Sequence, residues 1–516
     1  MATAPQAVVS DEERLAQLGY KQDLERRMSG FQNFAISFTI ISILSGALTL
    51  YGTGINYGGP MQQAIGWPIV SVFVIIVALS MAELASAYPT AGGLYWWASK
   101  LGGPIWGWFT GWFNLIGQVA ITAGIDYGAA TFTTALLGLV FNYNTDNHHI
   151  MYVYAAILIL HALLNIFNVR LVGFLNHVSA YWHVIGVAVF AGVLIIVPDH
   201  HNSVSFVFTE TVNNSGLSGI GFFFIFLLGF LQAQYTYTGF DASAHMSEET
   251  HEASISAAKG VVNSVLVSAI AGYILILALT FAITDLNEVA GSGTFAAVTV
   301  LEQALGSTGV KLLLLIAVVG QLFCGMSAIT SASRMLYAFS RDRAVPGHNY
   351  WSKLNKNHVP AHAVILIAFL AFVLALPAWS GNTAFVYAAI TSVATIGLYV
   401  AYIIPIYLRF RKGDEFETGP WNLGRKYRVL NIIAMVWVGF ICILFIMPLT
   451  DKAVPWNTGF DYKLANYAPV AVGVTILAIS VWWAVSAKNW FKGPIRNIDD
   501  EIADPMNPDK RLAEPV

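Results

Sequence analysis

The chain has 516 residues, 56% hydrophobic and only 11% charged, where a soluble domain carries roughly 25% charged residues. That balance excludes an ordinary soluble domain and points to a membrane protein, and the net charge of −3 decides nothing about partners, because steering depends on patches rather than totals.

The first thirty residues contain DEERLAQLGYKQDLERR and no apolar stretch with a cleavage site, so a cytoplasmic tail is expected over 1–30 and a removable signal is not. Twelve apolar segments follow, centred near residues 44, 75, 120, 160, 188, 230, 272, 325, 370, 395, 439 and 476. Each has about the 20 residues needed to cross a hydrocarbon layer ~30 Å thick. When twelve spans are threaded, every Lys and Arg except Lys311, Lys452 and Lys463 falls on the side of the N-terminus. Positive loops stay in the cytoplasm, so a multi-pass plasma-membrane protein with both ends inside is expected. The expected division is a ten-span core over 31–410, a cytoplasmic loop at 411–427, two further spans over 428–486 and a cytoplasmic tail at 487–516. Cys324 and Cys442 lie inside apolar spans and read as buried thiols.

Two spans are interrupted. SGALTLYGTG (45–54) breaks the first, and TYTGFDAS (236–243) breaks the sixth. Five helices separate the two starts, so spans one to five and six to ten face opposite ways, as in the inverted repeats of secondary transporters. Unwound backbone at that depth is tolerated only where protein buries it or a cavity borders it. Gly46, Gly52 and Gly239 therefore mark either a binding site or close helix packing, and the pairing of breaks in matching positions favours the site. In that site, carbonyls freed around Tyr235 and Thr236 are expected to accept from a substrate ammonium. Gly103, Gly107 and Gly111, spaced four apart, read as one smooth packing face.

An ionisable group at the bilayer centre costs about 2.5–3.5 kcal/mol, so each needs a reason. Asp241 could face a substrate ammonium, relay a proton or cap the second half-helix. Asp126, Glu83 and Arg334 read as members of structural pairs. His183 is either a packing residue or a group that titrates near physiological pH. His148, His149, His200 and His201 lack the cluster a metal site needs, and no metal site is expected. HEASI at 251–255 lacks the second His of a zinc-protease helix, and neither a nucleophile elbow nor a phosphate loop occurs. An enzyme is not expected, and energy for transport must come from a gradient.

The stretches LGYKQDLERRMSGFQNFAISFTIISILSGALTLYGTGINYGGP, SMAELASAYPTAGGLYWWASKLGGP, QYTYTGFDASAHMSEET and SASRMLYAFSRDRAVP carry a resemblance to the amino acid-polyamine-organocation superfamily. Within it the wording is similar to the amino acid/choline transporter family, in its γ-aminobutyrate (GABA) permease and bidirectional amino acid transporter branch. The resemblance implies an all-α membrane protein of twelve helices, a five-plus-five inverted repeat with broken helices one and six, working by alternating access. By the same resemblance Ser45, Gly46 and Ala47 hold the substrate carboxylate, Tyr235 closes over the substrate, Thr236 and Thr238 share the unwound segment, and Gln118 contacts substrate. Asp241 matches a residue of proton sensing and inner gating. Where proton-coupled relatives carry a fifth-span Lys, this chain has His183, which is no permanent cation; Ser331 and Ser333 in span eight could instead form a sodium site. The expected function is import of a small zwitterionic amino compound, GABA or another amino acid, coupled to protons or to sodium, with no cofactor, no nucleic acid and no obligatory protein partner. Choline or polyamine transport, and a receptor binding the same ligand without flux, are the alternatives.

Overall fold

The computed structural model describes residues 10–19, 26–167, 169–217 and 221–495. Among them eleven helices are long and apolar enough to cross a membrane. The spans are the first, Gly30–Ile41 continued by Gly46–Thr49 and Tyr51–Asn56; the second, ending in Trp67–Ala87; the third, Pro104–Phe141; the fourth, Asn147–Phe167; and the fifth, Val169–Ile196. The sixth is fragmented into Phe222–Leu228, Phe230–Thr236 and Ala242–His245, which is why no unbroken long helix stands there. The seventh, Ala253–Phe281, the eighth, Ser307–Arg341, the ninth, Ala361–Ala375, and the tenth, Thr383–Lys412, complete the core; Tyr427–Leu444 and Ala468–Trp482 are the eleventh and twelfth. No strand forms among the described residues, only two isolated bridges, Met28 to Thr250 and Tyr57 to Asn213.

The first span opens with a capping box. Ser29 Oγ accepts from the Gln32 N–H at 3.2 Å, and the Gln32 side chain accepts from the Ser29 N–H at 2.8 Å, satisfying two donors that a helix start leaves free. It stops at Ser42, whose φ of 31° is left-handed, a conformation that costs a non-glycine residue of order 1 kcal/mol or more. The sixth span stops at Thr236, and Gly239 takes φ 94° in the gap. Gly30–Ile41 packs on Ala242–His245, while Gly46–Thr49 and Tyr51–Asn56 pack on Phe230–Thr236. The two broken spans therefore run antiparallel, breaks side by side, as an inverted repeat demands.

Burial separates centre from edge. In the apolar window of the tenth span 89% of residues are buried, against 11% in the twelfth, so the last span faces lipid while the first, eighth and tenth lie at the centre. The 103–107–111 face is only partly what its spacing suggests: a Cβ at Gly107 would meet Ser99 and one at Gly111 would meet Phe339, but Gly103 has no neighbour and takes φ 90° as the cap before Pro104. Both cysteines are free, Cys324 buried and Cys442 half-buried.

The segment expected as an N-terminal tail holds a docked helix, Asp11–Gln17, with Leu15 buried. Arg14 Nη2 donates to the Ala87 carbonyl at 2.8 Å, and the Asp11 carboxylate accepts from the N–H groups of Glu252 and Ala253 at 2.7 and 3.0 Å, supplying the start of the seventh span with a cap. Residues 1–9, 20–25 and 496–516 of the two expected tails lie outside the described residues.

Candidate functional site

Where the two breaks meet, Ile40, Ile41, Ser45, Gly46, Ile121, Ile125, Tyr235, Thr236 and Thr238 line a closed cavity of about 10 Å³, room for about one water. Five of the sequence-derived substrate residues, Ser45, Gly46, Tyr235, Thr236 and Thr238, are thus brought together. Gly46 is required by proximity: a Cβ there would lie 2.7 Å from Thr236 Oγ1 and 2.9 Å from Thr236 Cα. The Ser45 hydroxyl is buried without a hydrogen-bond partner. Of the sixth-span carbonyls, that of Tyr235 is already taken by the Thr238 N–H and hydroxyl at 2.9 and 2.6 Å, which corrects its expected role as a free acceptor. Among the described residues no hydrogen bond ends on the Thr236 carbonyl. Ala47 stands behind the cavity, its carbonyl accepting from Gln232 Nε2 at 2.9 Å.

Gln118 does not line the cavity either. Its Nε2 donates to Asp241 Oδ2 at 3.0 Å, one of several donors around that carboxylate. Tyr402 OH donates to Oδ1 at 2.7 Å, Asn114 Nδ2 stands 3.4 Å and His245 Nε2 3.2 Å from Oδ2. Asp241 makes no side-chain cap bond to the helix it precedes, so capping is not its task. The cluster joins spans three, six and ten just below the cavity, toward the face where Asp11–Gln17 and Ile495 dock.

His183 braces the first-span break. Its Nδ1 lies 2.8 Å from the Ser179 carbonyl, an acceptor only, so the proton sits on Nδ1 and Nε2 accepts from the Ser42 hydroxyl at 2.8 Å. Facing the same break from span eight are Gln321, whose Nε2 donates to the Leu44 carbonyl at 3.0 Å, and Cys324, whose thiol donates to the Ile40 carbonyl at 3.1 Å. Ser331 and Ser333 are not beside it: seven and nine residues beyond Cys324, at 1.5 Å rise each, they lie roughly 10–13 Å further along the helix. Ser333 Oγ donates to its own helix at Thr330, and Ser331 Oγ is buried without a partner.

On the side remote from Asp11–Gln17, a vestibule of about 390 Å³ lies between Asn56, Asn214, Ser292 and Asn382, with Tyr387 and Thr49 among its lining. Their hydroxyls, 2.7 Å apart, link spans one and ten at the vestibule, one helical turn from Ser45. Glu83 pairs with Arg409 at 2.9 Å, whose guanidinium lies 4.1 Å from the Phe416 ring centre and 3.8 Å from that of Tyr427; Arg334 pairs with Glu249 at 3.7 Å and Asp126 with His161 at 3.2 Å. Beyond the end of span eight, burial pushes the Asp342 carboxyl up to about 6 despite hydrogen bonds from Tyr95 OH and the Ile495 N–H at 3.0 and 2.9 Å. Sequence reading missed Tyr402, Tyr387, His161 and His245. Only His245, one helical turn from Asp241, had a local signal.

Comparison with known proteins agrees with this architecture. The family described as amino acid permease matches residues 28–487. The chain is 40% identical to the amino-acid permease BAT1 of Arabidopsis thaliana, over 95% of this chain and 97% of that one, and 41% identical to the Oryza sativa amino-acid permease BAT1 homolog, over 94% and 96%. It is 29% identical to the GABA-specific permease of Saccharomyces cerevisiae, over 96% and 87%.

Proposed function

We propose that this chain, which belongs to the amino acid permease family, imports a small zwitterionic amino compound, GABA or another amino acid, by proton-coupled alternating access across the plasma membrane, with its chain ends in the cytoplasm. The observation that carries this reading is the cavity at the paired breaks, lined by Ser45 with its unpartnered hydroxyl, by Thr236 and Thr238, and otherwise by Gly46, Tyr235 and four isoleucines. The substrate carboxylate would take the Ser45 hydroxyl and the Ala47 N–H at a helix start, which favours negative charge; the Gly46 and Leu48 N–H groups already donate to the Ser42 and Ser45 carbonyls. Its ammonium would take the Thr236 carbonyl, and its methylene groups would lie on Ile40, Ile41, Ile121 and Ile125. No Lys or Arg lines the cavity, which favours a substrate without net charge.

At about 10 Å³ the closed site holds no amino acid. Loading then requires the Thr49–Tyr387 hydrogen bond to part and Tyr235 to swing aside; release requires the hydrogen bonds on Asp241 to part on the other face, giving that residue a gating role. The yeast relative's name supports GABA as the first substrate to test. Choline or a polyamine is disfavoured because a quaternary ammonium needs an aromatic cage, and two of the rings that could build one point elsewhere: Tyr237 packs on Trp67 and bonds Ser71, and Phe240 packs on Tyr402.

The test is uptake of labelled GABA into proteoliposomes under an inward proton gradient, a sodium gradient or neither, with unlabelled amino acids and choline as competitors. Concentrative, proton-driven uptake that amino acids block supports the reading. Flux driven by sodium alone, or choline as the better competitor, replaces the coupling ion or the substrate, and ligand binding with no flux makes the protein a receptor.

A further inference from the structure

A second buried charge pair lies apart from the cavity and from the Asp241 cluster. Asp126 of span three and His161 of span four are both buried, and the imidazole Nδ1 stands 3.2 Å from each carboxylate oxygen. Only Oδ2 has hydrogen-bonding geometry; Oδ1 is left without a partner and rests on span eight at Gly325, where any Cβ would collide with it. On the opposite face of span three, two residues to either side, Gly124 admits the Tyr235 hydroxyl and Gly128 admits that of Tyr387. Span three therefore carries, back to back, the two tyrosines that bound the substrate path and a carboxylate with a free oxygen.

Building on the proton-coupled reading above, we propose that the Asp126–His161 pair is the proton-binding site of the transport cycle. With a neutral imidazole the ionised pair carries one negative charge, which a membrane interior penalises heavily; one added proton makes it net neutral, as an ion pair or a shared hydrogen bond. The titratable groups around it are Tyr127 on its own helix, Tyr154 of span four, Cys324 of span eight and Tyr235 of span six. None of these is charged at neutral pH, so among the described residues no fixed charge already neutralises the pair. Asp241 differs in having donors on both oxygens, and His183 in having both ring nitrogens engaged. When Tyr235 or Tyr387 leaves its glycine, span three is free to shift against Gly325, opening or closing the route to Oδ1. The proton arrives from water on the vestibule side and leaves to water on the other, with nothing oxidised or reduced.

The experiment compares wild type, Asp126→Asn and His161→Gln in proteoliposomes by two readouts: GABA counterflow without a gradient, and accumulation under a proton gradient across pH 5 to 8. Both variants are expected to exchange substrate yet lose at least about tenfold in proton-driven accumulation, with a flattened pH profile. Asp126→Asn accumulating substrate with the wild-type profile overturns the proposal. So does equal loss of both readouts in both correctly inserted variants, which makes the pair a structural support. If either variant fails to insert, the other decides. A wild type that accumulates GABA without regard to protons removes the site while leaving the transport reading intact; absence of wild-type counterflow removes that reading first.

Discussion

Replacing Gly46 by alanine asks how tightly the two broken spans must close. The added Cβ would stand 2.7 Å from Thr236 Oγ1 and 2.9 Å from Thr236 Cα, where carbon atoms prefer about 3.5–4.0 Å. The sixth span must then retreat by roughly 0.6–1 Å, and a cavity of about 10 Å³ has no slack to absorb the change in shape. Overpacking of this kind costs about 1–3 kcal/mol. If that penalty falls on the closed state alone, it lowers the closed population about 5- to 150-fold, and uptake with it, while insertion is retained because the open state does not need the two spans so close. The assay is initial-rate GABA uptake in proteoliposomes alongside the amount of inserted protein. Adding Thr236→Ala should not rescue, since the clash with the main chain of residue 236 survives trimming of its side chain. Wild-type rate and KM in Gly46→Ala, or rescue by Thr236→Ala, would refute the claim that backbone proximity at the breaks sets the closed site.

Tyr235→Ala should abolish uptake and leave insertion and folding intact; near-normal uptake removes the ring from the site. His183→Ala, which strips the brace from Ser42, is expected to lower transport without changing the shape of its pH profile, and a flattened profile would move the coupling proton to His183. Arg409→Ala leaves Glu83 buried and unpaired, for which about 3–5 kcal/mol of destabilisation is expected; a melting temperature equal to that of the wild type would contradict it. Asp342 binds its proton more tightly in the fold, at about 6, than at its ordinary 3.8. The stability it contributes is therefore full below about pH 4 and lost as pH rises through 6, up to about 3 kcal/mol. Lowering the pH from 7.5 to 5 should raise the melting temperature of the wild type more than that of Asp342→Asn, and equal slopes would count against the assignment.

Much of the fold was legible because its signals are local. Apolar length gives the spans, and the odd offset between SGALTLYGTG and TYTGFDAS gives the inversion. The site was legible to the extent that its residues sit in those breaks: Ser45, Gly46, Tyr235, Thr236 and Thr238 converge because unwound backbone needs a cavity. What tertiary structure decided is rotation and height. A helix side chain turns by about 100° per residue and rises 1.5 Å, so nothing in the sequence near Gln118 says that it faces Asp241, nor that Ser331 and Ser333 fall two turns beyond the first-span break. Asp126 and His161 are 35 residues apart on different helices, and Tyr402 is 161 from Asp241. Such pairs have no local pattern, because the force that joins them, the penalty on an unpaired polar group in an apolar interior, acts only once the helices have packed.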